Sequence, residues 1–356
     1  MSLWTDFLSA DYDLRVLCHG VDAAVLEILG SKIPGLTAPA IKNDGRLGRA
    51  GRLTVIAGVA AVYNEIKSFG PDAVISMFVW ADFLVSAAMR LRLVSGAPSI
   101  AHIVYVAGNP MPPVKFFLKK KLYATLSKSA FKCASGVICI CRHDARLLCD
   151  EYRVDERKIE VVPIGIRVRP FEARKTHDPF TFGIVSRLSP EKRIDAVLRL
   201  IKEVALERGE NFRLLVFGDG NDGERLRALA RDLRLGNVVR FQGWVKDPDI
   251  AFTAIDCMLM FSTTEGTPRS ILEAAERGVP SIAKDVGGVG EVIIDGKTGF
   301  LINGADQLKE KIIHMMSAAG EAQRLGLAAR RRIEESRNVD GEITKLKSII
   351  EGLTGD

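Results

Sequence analysis

The sequence predicts two α/β domains in series, each a parallel sheet covered by helices in the Rossmann manner, facing one another across a cleft. Three observations carry this. The chain has 356 residues, too long for one ordinary domain of about 100–200 residues and long enough to fill two cores. Short apolar runs alternate with helical patterns along most of it, the rhythm of βαβ units. That rhythm is interrupted by a polar stretch with two prolines, residues 167–179, which reads as a linker. Hydrophobic residues make up 47% and charged residues 26%, a globular composition that excludes disordered, collagen-like and coiled-coil chains.

In the first domain, residues 1–170, a helical stretch at 53–69 precedes a strand at Ala73–Met77, and three further strands fall at 103–106, 136–141 and 159–163. The second domain, residues 171–339, restarts with a strand at 180–185 and a helix at 190–206. It continues with a strand at Arg213–Phe217, a helix at 224–233, and strands at 238–242 and 257–261. A helix at 268–277 and strands at 281–283 and Gly299–Ile302 follow, and helices at 306–318 and 342–353 close the chain. In such sheets ligands sit beyond the carboxyl ends of the strands.

The opening admits two readings. In one, residues 3–10 end a first helix and 13–18 form the second strand, so that the first strand is missing from the chain. In the other, 13–18 is the first strand and His19-Gly-Val-Asp22 a degenerate loop. No apolar run follows a basic start, so no secretory leader is expected. The longest charge-free run, 93–114, contains Pro98, Pro110, Pro112 and Pro113 and does not read as one spanning helix.

The charge is uneven. The formal net charge is +6, and residues 1–170 hold 22 of the 50 basic but only 15 of the 44 acidic side chains. From Phe83 to His143 there is no Asp or Glu. Residues 113–132 read as an amphipathic helix in which Leu118, Leu122 and Leu126 form one stripe and Lys120, Lys121 and Lys128 lie off it. Lys115, Lys119, Lys120 and Lys121 are candidates for contact with an anionic membrane surface or an acidic acceptor; each lysine near such a surface contributes roughly 1 kcal/mol before screening. A solvated surface helix fits the same pattern. No nucleic-acid motif accompanies the charge.

The six cysteines are too sparse for a disulfide scaffold, which points to a reducing cytosol. Cys139 and Cys141 share a strand face, but no histidine or further cysteine stands at ligand spacing, so buried thiols are expected and no metal site.

Two segments carry chemistry. In Glu265-Gly-Thr-Pro-Arg-Ser-Ile-Leu-Glu273, Thr267 reads as an N-cap and Pro268 as the first helical residue. The free amides of Arg269 and Ser270 would then face an anion. Glu265 and Glu273 suit sugar and ribose hydroxyls, because an ionised carboxylate accepts two bonds from a vicinal diol. In Ser186-Arg-Leu-Ser-Pro-Glu-Lys192, Ser189 reads as an N-cap, and Arg187 and Lys192 converge with a helix dipole on one spot able to hold a diphosphate. Either segment taken alone is also compatible with a capped helix and solvated charges. Gly218 and Gly220 follow one strand and permit close backbone approach; Gly243 and Trp244 follow another, where the indole either lines a base pocket or packs. The run Gly218-Asp-Gly-Asn-Asp-Gly223 also fits a dinucleotide fingerprint, but only a polar helix follows and no acid closes the next strand, which argues against an oxidoreductase.

Taken together, the stretches 183–192, 215–220, 239–243 and 261–280, with Gly287-Gly288 and Glu291 after them, resemble the nucleotide-sugar half of a retaining glycosyltransferase of glycosyltransferase family 4, with its GT-B fold. The resemblance implies that Arg187 and Lys192 bind the donor diphosphate and stabilise the leaving group, a large catalytic term. It further implies that Glu265 touches the donor sugar and Glu273 the ribose, and that the amides after Gly266 reach phosphate or sugar hydroxyls. The donor would be a UDP- or GDP-linked sugar, with no metal or other cofactor. The acceptor would be a glycan or lipid-linked hydroxyl, in the cytoplasm or on the inner face of the membrane, and the last helix, 340–356, would pack back on the first domain. The first half matches only loosely. Many relatives have a His-Gly pair where this chain has Val106-Ala-Gly108; Asn109 and His102 are the nearest substitutes. The alternative is a non-catalytic relative that binds a nucleotide sugar or serves as a partner subunit, having lost its opening loop.

Overall fold

The computed structural model describes residues 49–108, 117–171, 176–318 and 320–355, with 49–54 and 117–120 as backbone only. Both readings of the opening, the side chains of Lys115, Lys119 and Lys120, and Asn109 lie outside the described residues. The chain divides into two compact units. The first comprises the described residues up to Cys139, Ala145–Val162 and those from Ile343 on; the second comprises Ile140–Asp144 and Pro163–Glu342.

Among the described residues the first unit holds a four-stranded parallel sheet in sequential order: β1 (Ala73–Met77), β2 (Ala101–Val106), β3 (Gly136–Cys139) and β4 (Ile159–Val161). Helix α1 (Arg49–Phe69) ends where Gly70 turns left-handed, at φ 64°, and donates its amide to the Ile66 carbonyl, a common glycine stop. Helices α2 (Val79–Val94) and α3 (Phe117–Cys133) follow β1 and β2, and Arg142–Leu147 (α4) runs into a π turn at Leu148–Tyr152. Val104, Val106, Phe131, Val137 and Leu148 form one core, and Ile66, Val85, Ala88 and Met89 another.

Of the leucine stripe on α3, the Leu118 side chain lies outside the described residues, and neither Leu122 nor Leu126 is fully buried. Leu122 is exposed beside Lys121, and Ser127, Ala130 and Phe131 are buried instead. One reason is aromatic packing, since Trp80 meets the Tyr123 ring edge-on at 6.1 Å.

The second unit is a six-stranded parallel sheet in the order β10-β9-β8-β5-β6-β7. Its strands are β5 (Thr181–Val185), β6 (Arg213–Phe217), β7 (Val239–Gly243), β8 (Cys257–Met260), β9 (Ser281–Lys284) and β10 (Gly299–Ile302). Strands buried on both faces read as continuous apolar runs, and alternation divides them between two cores. Phe182, Ile184, Leu214, Val216 and Leu259 pack with α5 (Ile194–Arg208), α6 (Gly223–Asp232) and α10 (Ala305–Ser317). Met258, Met260 and Ala283 pack with α7 (Pro248–Thr253), α8 (Arg269–Glu276), α9 (Val289–Val292) and α11 (Glu321–Ser336). The chain order reverses between β5 and β8, which makes their carboxyl ends the topological switch point.

Several expectations need correction. The helix at 190–206 is broken: Pro190–Lys192 is a single 3-10 turn, Arg193 is left-handed at φ 49°, and α5 starts at Ile194. Helices α2, α4, α7, α9 and α11 did not stand out in the sequence. In α11 the apolar period of Ala322, Leu325, Ala329 and Ile333 is interrupted by Gly326, where a Cβ would lie 1.9 Å from the Gly278 carbonyl oxygen. The stretch that reads as a linker starts firmly anchored: Arg169 grips Asp249 at 2.7 and 2.8 Å and the buried Glu276 at 3.0 Å. The last helix, α12 (Val339–Thr354), counts with the first unit from Ile343 on, where Lys345 Nζ donates to the Val161 carbonyl at 2.7 Å.

His102 is not placed as a sugar contact. It is 2% exposed, near the start of β2, and its Nε2 lies 2.9 Å from the Ser76 hydroxyl, which donates to Asp82 Oδ1 at 2.7 Å. Burial pushes the Asp82 carboxyl from 3.8 up to about 7, against the opposing pull of the Ser76 bond, and pushes His102 from 6.5 down to about 4. Both groups are therefore neutral between about pH 4 and about pH 7. The stability tied to protonated Asp82 is complete below pH 3.8 and is lost as the pH rises through about 7. That tied to neutral His102 is complete above pH 6.5 and is lost as the pH falls towards 4. Asp82→Asn, which keeps an acceptor for Ser76, is expected to gain stability relative to the wild type progressively from pH 4 to pH 8. Urea melts across that range check it; a pH-independent difference would contradict the assignment.

Candidate active site

The site is assembled from loops at the switch point. After β5, Ser186-Arg187-Leu188 lies on the loop that follows β6. Ser186 N–H donates to the Phe217 carbonyl at 3.1 Å, Leu188 N–H to Asp219 at 2.9 Å, and Asp222 N–H back to Leu188 at 3.0 Å. Gly218, at φ 125°, has no room for a side chain, because a Cβ there would lie 1.8 Å from the Ser186 oxygen; at Gly220 it would lie 2.3 Å from the Leu188 oxygen. These glycines therefore admit a second stretch of backbone, and the loop they hold is the one that carries Arg187. The Arg187 side chain is 74% exposed and reaches Glu191 at 3.7 Å. Gly218 N–H also donates to the Gly243 carbonyl at 2.7 Å. Trp244, just beyond, is 70% exposed.

The next turn ties β5 to β8. Ser189 is extended, but its hydroxyl donates to the Glu191 carboxylate at 2.5 Å and caps no backbone amide. The 3-10 turn behind it is only three residues long and the helix proper, α5, starts at Ile194, which corrects the reading of Ser189 as a helix N-cap. The Glu191 carbonyl accepts the Thr263 amide at 2.8 Å and its hydroxyl at 3.3 Å. Lys192 Nζ donates to Glu265 Oε1 at 2.6 Å, across 73 residues of chain, with the two side chains only 19% and 10% exposed. Arg187 and Lys192 thus do not converge as free charges; each has a carboxylate partner. A half-dry ammonium or carboxylate left alone would be costly, so the pair forms.

The loop after β8 is fixed from the far side. Gly288 N–H donates to the Gly266 carbonyl at 2.8 Å. At Gly287, φ 59°, a Cβ would lie 1.7 Å from the Glu265 oxygen. Thr267 is buried, and its hydroxyl donates to the Ile140 carbonyl at 3.2 Å. The N-cap position falls on Pro268, one residue later than expected, and α8 starts at Arg269. The amides of Arg269 and Ser270 are at the first two helical positions, where no intrahelical carbonyl is available. Glu273, one turn on, accepts from Arg269 Nε at 3.0 Å.

Arg187, Lys192, Glu265, Gly266, Pro268, Arg269, Ser270 and Glu273 are therefore brought to the loops and helix start around the β5–β8 switch point. Gly218, Gly220 and Gly243 support them from the β6–β7 side. Glu191 and Thr263 were missed by sequence reasoning, and nothing in their spacing marks them, since they meet across 72 residues of chain through the Glu191 carbonyl. Glu291 accepts the His143 amide at 3.2 Å and has its carbonyl held by Arg332 and Arg337. Among the described residues no group of three or more His, Cys, Asp or Glu is arranged to hold a metal ion.

Two family models match successive parts of the chain. Residues 5–169 match Glycosyltransferase Family 4, and residues 167–332 match Glycosyl transferases group 1. An uncharacterized glycosyltransferase of Methanocaldococcus jannaschii is 25% identical over 236 residues, covering 63% of this chain and 58% of that one. The UDP-Gal:alpha-D-GlcNAc-diphosphoundecaprenol alpha-1,3-galactosyltransferase of Escherichia coli is 25% identical over 311 residues, 82% of this chain and 76% of that one. This chain thus spans less than two thirds of the archaeal relative's length. Among solved structures, Anabaena HepE in complex with UDP and glucose superposes with a TM-score of 0.77 at 18% identity, over 98% of this chain and 95% of that one.

Gly218→Ala is expected to lower the thermal midpoint by several degrees, because the added methyl meets the Ser186 carbonyl; about 1 kcal/mol corresponds to roughly 2–4 °C in a unit of this size. Gly236→Ala, with open space at its Cβ, is expected to shift it by less than about 1 °C. Calorimetric melts of both variants check this, and equal shifts would contradict it.

Proposed function

The chain belongs to the family 4 type of glycosyltransferases, with the GT-B fold, and on that premise we propose that it moves a sugar from a UDP- or GDP-linked donor to a hydroxyl of a lipid-linked or cell-surface glycan, with retention and without a metal. The single observation that supports this most is the Lys192–Glu265 pair, held between two loops at the switch point with Arg187 on the same loop as the lysine.

The residues divide the work as follows. The donor diphosphate brings a denser negative charge than one carboxylate, so Lys192 and Arg187 turn to its oxygens. Each charge-assisted bond contributes about 1.5–3 kcal/mol net. Glu265 then lacks its ammonium partner and, at 10% exposure, is poorly hydrated; hydroxyls of the donor sugar donate to it instead. The carboxylate of Glu273 takes the ribose hydroxyls, and the amides at Gly266 and the start of α8 meet phosphate or sugar oxygens. As the bond from the anomeric carbon to the diphosphate oxygen breaks, the leaving group keeps the electron pair. Arg187 and Lys192 stabilise that charge while the acceptor oxygen bonds the carbon and passes its proton to the departing diphosphate oxygen.

Two features support a lipid-linked acceptor and peripheral attachment to an anionic membrane. One is the acid-free stretch from Phe83 to His143. The other is the exposure of Leu91, Leu93, Val94 and Leu122, beside Arg90, Arg92 and Lys121. Apolar groups among cations suit a lipid surface. No helix among the described residues is long and apolar enough to cross a membrane.

Arg187→Ala and Glu273→Gln are each expected to lower sugar transfer from the preferred donor by more than tenfold, above about 1.4 kcal/mol of barrier. Transfer by the wild type is expected to survive EDTA, with the product anomer matching the donor by NMR. Retained turnover in both variants, an EDTA-sensitive reaction or an inverted product would each contradict part of the reading; donor binding without transfer would instead favour the non-catalytic alternative.

A further inference from the structure

The carboxyl end of β1 carries a feature that donor binding does not use. The residue directly after the strand, Phe78, adopts φ 73°, ψ 146°, a region open to glycine and strained for any residue with a Cβ. Burial of the ring does not compensate for this, because Phe78 is 75% exposed. A glycine would take the same backbone shape freely, so the conformation does not explain why a large apolar side chain stands there.

The turn is held from beneath. Ser76, the last residue but one of β1, donates its hydroxyl to Asp82 Oδ1 at 2.7 Å, which closes a bridge under residues 77–81. With that proton committed, the Ser76 oxygen accepts from His102 Nε2–H at 2.9 Å. The Asp82 amide donates to the Phe78 carbonyl at 2.9 Å, and the Ser86 hydroxyl to the Asp82 carbonyl at 2.7 Å. Ser76, Asp82 and His102 are 3%, 5% and 2% exposed, so none of them reaches a ligand. Their arrangement fixes the turn that carries the ring.

Ligands of open parallel sheets lie beyond the carboxyl ends of the strands. An exposed ring presented there at the expense of backbone strain suits a flat apolar surface that covers it. In a protein that glycosylates a glycan, that surface is the C–H face of a pyranose. Resting on the glycosyltransferase reading above, we propose that Phe78 is an acceptor-binding residue whose ring stacks on a pyranose of the acceptor, and that Ser76, Asp82 and His102 are positioning residues that hold it in place.

The test uses the full chain and the methyl α-glycosides of glucose, galactose and N-acetylglucosamine as probes, with saturation-transfer NMR as the readout and a parallel UDP titration. The wild type is expected to transfer saturation to the ring C–H protons of at least one probe. Phe78→Gly should reduce that signal at least fivefold, leave the UDP titration unchanged, and melt no lower than the wild type because the strain is relieved. Phe78→Leu keeps a Cβ and apolar bulk without the ring; it should lose the signal equally, and it carries the comparison if the glycine variant melts lower. Phe78→Tyr should retain it. Signals within twofold of the wild type in the ring-less variants, or no signal from the wild type with any probe, would overturn the proposal. A wild type that binds a pyranoside through Phe78 but no nucleotide would count against the donor-site reading alone.

Discussion

The ion pair between Lys192 and Glu265 is the interaction on which the second unit's site depends. Its partners stand 73 residues apart in sequence and meet at 2.6 Å, because the sheet reverses its order between β5 and β8 and leaves two loops facing each other. Everything around the pair fixes its two ends. The Thr263 bonds to the Glu191 carbonyl hold the lysine's turn to the β8 side, and Gly287 and Gly288 pack against the backbone of Glu265 and Gly266. Removing one partner from a buried pair typically costs about 3–5 kcal/mol, less where water reaches. At 19% and 10% exposure, most of that penalty is expected to apply here unless a ligand supplies the missing charge or hydroxyl. On the function proposed above, the pair holds the two loops together until a diphosphate and a sugar arrive and take its partners.

Much of the architecture was legible because strands buried on both faces announce themselves as apolar runs. The strands at Ala73–Met77, Arg213–Phe217 and Gly299–Ile302 match in full. What misled was local chemistry overruled by tertiary demand. Pro190 after Ser189 looks like a helix start, yet the chain turns left-handed at Arg193 because Glu191 is drawn onto Thr263. Thr267 looks like a cap, yet its hydroxyl is used by Ile140. Helix α2 passed unnoticed because its apolar residues wrap most of its circumference and give no clear stripe.

The site was legible as a set of residues and not as a set of contacts. Residue type and spacing identified Arg187, Lys192, Glu265 and Glu273, but no spacing rule pairs a lysine with a carboxylate 73 positions away. Gly218 and Gly220 read as permitting close backbone approach, and the backbone that approaches them is that of Ser186 and Leu188. Phe78 had no sequence signature at all, since its strain exists only in three dimensions.

On the proposed function a nucleoside diphosphate takes Lys192 from Glu265, and calorimetric titration with UDP, GDP and ADP in the presence of EDTA tests this most directly. Micromolar binding of one nucleotide by the wild type, weakened at least tenfold in Lys192→Ala, is the predicted result. No binding of any of the three, or binding that Lys192→Ala leaves unchanged, would contradict it.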